Sequence, residues 1–134
     1  MKTQKKLTLD FYQILGKLFY AIAAADKKVH NQEFNKLKEL VKNQWLDVDD
    51  TEDSYNTDAA YQIEIVFDWL NKNEFKAENC FDEFISYKKT HSSLFTIEIN
   101  KLIMKTASAI EASFSGLNKS ELIVLAKLDI ELKK

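Results

Sequence analysis

Carboxylates dominate the residues of this chain that could do chemistry. Asp26 and Glu33 sit at a bend inside Leu15–Phe34 (LGKLFYAIAAADKKVHNQEF), where one amphipathic helix stops and another starts. A second acidic group, Asp47, Asp49, Thr51 and Asp58, occupies positions 1, 3, 5 and 12 of the run from Asp47 to Asp58. Oxygen donors of this kind suit a hard divalent cation such as Ca²⁺, Mg²⁺ or Mn²⁺. His30 and Asn31 are further donors at the first bend. A Ca²⁺ ion wants about six to eight oxygens, so the bend needs waters or a distant acid to complete a shell. The acidic run copies the spacing of an EF-hand loop but has Glu52 where the sharp turn wants Gly, and ends on Asp58 rather than Glu. It reads as a solvated loop offering at most a weak, adventitious cation site.

Helix capping explains the same residues more simply. Glu33 lies three residues after a cap position, the far half of a capping box, and Glu121 stands likewise three residues after Asn118. Asp26 serves the bend by accepting backbone N–H groups or by pairing with Lys27 or Lys28. Other reactive types are isolated. The chain has one cysteine, Cys80, and two histidines, His30 and His91, too few for a structural zinc site. Glu64 and Asp68, one helical turn apart, are the best acid–base pair on offer, and that spacing is equally a solvated helix face. The expectation is a protein that is not an enzyme.

Composition narrows the partners. The chain has 134 residues, 46% hydrophobic and 30% charged, which is the balance of a folded domain rather than a disordered chain. Its net charge of −2 hides three blocks: +5 over residues 1–45, −10 over 46–83 and +3 over 84–134. Every basic residue is Lys, so bidentate recognition of phosphate or guanine is absent and nucleic acid is not an expected partner. The longest apolar run, Leu18–Ala25, is far short of the ~20 residues a membrane span needs. Asp10, Gln13 and Lys17 interrupt any signal-peptide core. The expected location is the cytoplasm, with no membrane insertion. A protein partner is expected, through the acidic 46–83 segment docking on a basic surface, and self-association stays open.

The elements that must hold the acidic bend are helices. The chain has no Pro and only Gly16 and Gly116. A first helix starts near Thr8, with Leu7, Phe11, Ile14, Leu15, Leu18, Ile22 and Ala25 at spacings of three and four. Tyr20–Ala25 is apolar all round and should be packed on several sides. A second helix covers about 31–45, a third about 58–71 with Thr57 as cap, and a shorter element about 79–88. A long helix over about 93–113, capped by Ser92 or Ser93, carries Phe95, Ile99, Leu102, Thr106, Ala109 and Ile110 inward. A last helix over about 119–132 buries Leu122, Leu125, Ala126 and Leu132. These predict one all-α domain over 1–134, a compact bundle of about six helices with a flexible segment over 1–7. The two carboxylates of the bend should face outward.

The bend has an echo. Val29-His30-Asn31-Gln32-Glu33 aligns with Leu117-Asn118-Lys119-Ser120-Glu121, each preceded by an Ala-bearing helix, with Phe114 at the position of Asp26. On these residues the chain resembles the tellurite-resistance TerB-like family, in which an Ala-rich helix end, Asp-Gly, a short bend and a helix-opening Glu occur twice. The first copy here, AIAAADKKVHNQE, has Lys27 in place of Gly; the second, SAIEASFSGLNKSE, lacks the Asp but keeps Gly116 and Glu121. The likeness is good over about 9–41 and weaker over 100–130. It implies an all-helical bundle, acidic residues that bind metal ions, and a part in stress-response assemblies rather than a catalytic step.

Overall fold

In a computed structural model, residues 7–46, 48, 59–113 and 119–134 are described. Six α-helices make up the described part: α1 (Leu9–Ala23), α2 (Asn31–Leu40), α3 (Gln62–Lys72), α4 (Ala77–Thr90), α5 (Ile97–Ala112) and α6 (Lys119–Leu132). No strand occurs among the described residues, and no described helix is long and apolar enough to cross a membrane. The all-α bundle follows from periods of three and four that run through every long segment.

Helix α1 is the axis. It packs against α3, α4, α5 and α6, and most of its length is buried, from Phe11 and Tyr12 through Leu15, Leu18 and Phe19 to Ala23. It starts where the sequence predicts, near Thr8, which caps it by accepting a hydrogen bond from Phe11 N at 3.1 Å. A helix packed against four others needs small residues where its neighbours come closest. Gly16 meets that need: a Cβ there would lie 2.7 Å from the Ile63 carbonyl oxygen and 2.8 Å from Val66 Cβ of α3. Aromatic rings fill the larger gaps, with Phe11 against Phe95, Phe84 edge-on to Phe95, and Phe34 stacked on Phe67.

Several boundaries differ from the periodicity. The second helix gives way at Val41 to a π-helical turn, Val41–Trp45, closed by Leu46 N bonding to Val41 O at 3.1 Å. That turn carries Trp45 into the core, where its Nε1–H donates to Thr106 Oγ1 of α5 at 3.0 Å. Burial of an indole requires such an acceptor. The third helix begins in a 3₁₀ turn at Ala59–Tyr61, and α4 is longer at both ends than the expected element over about 79–88. The fifth helix starts later. Ser92–Leu94 is a separate 3₁₀ turn, and Thr96 rather than Ser92 or Ser93 is the cap, accepting from Ile99 N at 3.2 Å.

In α6 the buried stripe is Glu121, Leu125, Leu128 and Leu132, so Leu122 and Ala126 face out instead of in. Helix α6 is apolar on two sides, and periodicity alone could not say which would face α5 and α1. Leu7 belongs to the core at 6% exposure, which shortens the expected flexible segment at its inner end. The Thr57 cap and the 1–6 segment lie outside the described residues.

Candidate functional site: a buried carboxylate pair

The corner between α1 and α2 is built by local hydrogen bonds. After α1 ends, Lys27 N bonds to Ala24 O at 2.8 Å and Asp26 Oδ1 accepts from Lys28 N at 3.1 Å. Lys27 adopts φ 71°, the left-handed region that Gly enters without steric cost, at the position where the TerB-like pattern has Gly. Glu33 then caps α2: its Oε1 accepts from His30 N at 2.9 Å. The His30 ring lies beside Asp26, with Nε2 3.7 Å from Oδ2. Both residues thus do the capping work expected of them.

Glu33 does not face outward. It is 0% exposed, and beside it lies Glu121, 1% exposed, from the first turn of α6. The side chains of the two glutamates form a hydrogen bond, which requires a proton on one of them. The proton belongs on Glu121. Burial first, then the hydrogen bond and charge of Glu33, then the charges of Asp26 and Glu111 push its carboxyl up to about 9. Burial also raises Glu33, but the His30 N–H and the bond from Glu121 favour its ionised form. The second Glu33 oxygen, Oε2, is buried with no other hydrogen-bond partner among the described residues. Glu33 and Glu121 hold equivalent places in the two sequence copies, so the echo is also a contact in space.

Cations place a specific demand on this corner. The donors are right in kind, two buried carboxylates, and Asp26 adds negative charge at the edge. They are short in number. Among the described residues no group of three or more His, Cys, Asp or Glu side chains could hold a metal ion, and one oxygen each of Asp26 and Glu33 is already spent on backbone N–H groups. An ion that keeps several of its waters and takes only one or two carboxylates, as Mg²⁺ does, fits such a corner better than Ca²⁺.

The other candidates are dispersed. Asp47, Asp49, Thr51 and Asp58 lie outside the described residues, as do Phe114, Gly116 and Asn118. Asp68 pairs with Lys72 on its own helix at 3.0 Å, and Glu64 is raised by partial burial, opposed by Lys38. Cys80 is buried, and desolvation pushes its thiol up to about 11, away from a reactive thiolate. His91 stacks on Tyr87 at 4.0 Å.

Glu121 is the residue that the site reading missed. The signal for it was present in the alignment of the two copies, which sets Glu121 opposite Glu33. No protein-family model, curated protein or solved structure matches the chain.

Proposed function

We propose that this chain is a non-enzymatic, TerB-like helical module in a stress-response setting, and that its responsive element is the Glu33–Glu121 pair. The observation that carries this reading is the burial of two carboxyls from matching positions of the two copies against each other. Capping alone does not ask for it, because a capping glutamate works equally well at the surface, and burying a second carboxyl beside the first is unfavourable. A site that exchanges or shares positive charge does ask for it. A divalent cation held there would take Glu33 and Glu121 as ligands and supply the charge that offsets both. Asp26 would add its field from the rim.

Thermal melting with Mg²⁺, Mn²⁺ and Ca²⁺ near neutral pH tests this. A cation bound only by the folded state should stabilise it by about 2.7 kcal/mol at a hundredfold excess over its dissociation constant. The shift should vanish in Glu121→Gln, which keeps the shape but not the charge. No shift in the wild type, or an equal shift in the variant, overturns the cation reading.

A further inference from the structure

We propose that the outer face of α6 lies flat on an anionic lipid bilayer, holding the protein at a membrane surface without crossing it. This does not depend on the glutamate pair, because Glu121 belongs to the opposite, inward side of the helix with Leu125, Leu128 and Leu132. Helix α6 packs chiefly on α5 and α1, which leaves its other side uncovered. The apolar residues on that side are Leu122, Ile123, Ala126 and Ile130, with Ile123 56% and Ile130 60% exposed. Interleaved with them are Lys119 and Lys127, and Lys133 and Lys134 follow at the end of the helix, all exposed. At 100° per residue these eight positions share one arc of about 140°. No exposed residue of α6 is acidic.

Charge selects an anionic partner. Asp129 and Glu131 flank the arc, partly buried, and pair at 3.0 Å with Lys133 and Lys134. Lys119 and Lys127 have no ion pair among the described residues. The neighbouring α5 exposes Lys101 and Lys105 against Glu98, and counting its partly buried Glu111 as well still leaves the two helices positive. The acidic residues of α3 and α4 stand on helices that pack on α1 rather than on α6. The chain as a whole is at −2, so the attraction is local to this face. Composition then selects a bilayer. Energetic centres of protein contacts are rich in Trp, Tyr and Arg, and the arc has none. Nucleic acid is read through Arg and stacked aromatics, absent for the same reason. A bilayer asks only for aliphatic side chains among the headgroups and cations beside the phosphates, with Lys stems reaching along the apolar surface. At 14 residues α6 is about 21 Å long, too short to span and long enough to lie in the interface.

Vesicle flotation with the full chain near neutral pH tests this, comparing phosphatidylcholine alone with phosphatidylcholine containing about one third phosphatidylserine. The protein should float with the anionic vesicles only, and added salt should weaken binding severalfold. Each Lys at such a surface is worth about fivefold, so Lys119→Gln with Lys127→Gln should weaken binding roughly twentyfold. Ile123→Ser with Ile130→Ser should weaken it about tenfold or more. Unchanged melts would show that both variants fold, as their exposure predicts. Trp69→Ala, at an exposed position on α3, should bind as the wild type does. Absence of binding, equal flotation with neutral vesicles, indifference to either double substitution, or capture of a Leu/Glu helical peptide in place of vesicles overturns the proposal.

Discussion

Raising the pH from about 6 to about 9 should destabilise the wild-type protein, and Glu121→Gln should remove most of that loss. In the folded chain the Glu121 carboxyl is pushed up to about 9 by burial and by Glu33, so it keeps a proton that the unfolded chain releases in the ordinary carboxylate range. Between those limits the folded state binds more protons than the unfolded one, and stability therefore falls as pH rises. The contribution is complete below the ordinary carboxylate value and is lost as pH passes through about 9. Above that, two negative carboxylates lie side by side without solvent. Glutamine retains an N–H to donate to Glu33 and cannot ionise. A buried unsatisfied or charged group costs about 1–3 kcal/mol or more. A relative loss of ~2 kcal/mol is roughly 5–10 °C in melting temperature for a domain near this size. Melting curves of both proteins across the range check it. Parallel curves would mean that no carboxyl shares a proton inside the corner.

Gly16→Ala should destabilise by about 1–3 kcal/mol, although alanine is the better helix former by roughly 1 kcal/mol. The added methyl would meet the Ile63 carbonyl oxygen at 2.7 Å and Val66 Cβ at 2.8 Å. Neither is the far end of a flexible side chain, so α1 and α3 must move apart. Since α1 also carries α4, α5 and α6, the shift would spread through the core. Urea unfolding gives the measurement: a lower midpoint at unchanged slope is expected. A midpoint at or above that of the wild type would show that α1 and α3 can part at Gly16 without loss.

Most of the helices were legible because each has one long apolar period, and the start of α1 near Thr8 followed from it. The acidic bend was legible as a corner for the same reason: Asp26 and Glu33 make local bonds, to Lys28 N and His30 N, which spacing along the chain determines. What spacing cannot determine is contact across the fold. Whether Glu33 points to water or to α6 depends on where α6 packs. Helix α6 carries apolar residues on two sides, so Leu122 and Glu121 could not be sorted into exposed and buried by pattern. The π-turn at Val41–Trp45 is similarly set by a distant group, the Thr106 hydroxyl that receives the Trp45 N–H.

The most direct test of the central claim is a ¹³C NMR titration of the glutamate side-chain carboxyls, with Glu33 and Glu121 assigned by substitution. The paired glutamates predict that the Glu121 signal stays in its protonated position through neutral pH and moves only as pH approaches about 9, with the Glu33 signal perturbed in the same step. If both carboxyls titrate in the ordinary range with the surface glutamates, the two side chains do not meet in a buried corner.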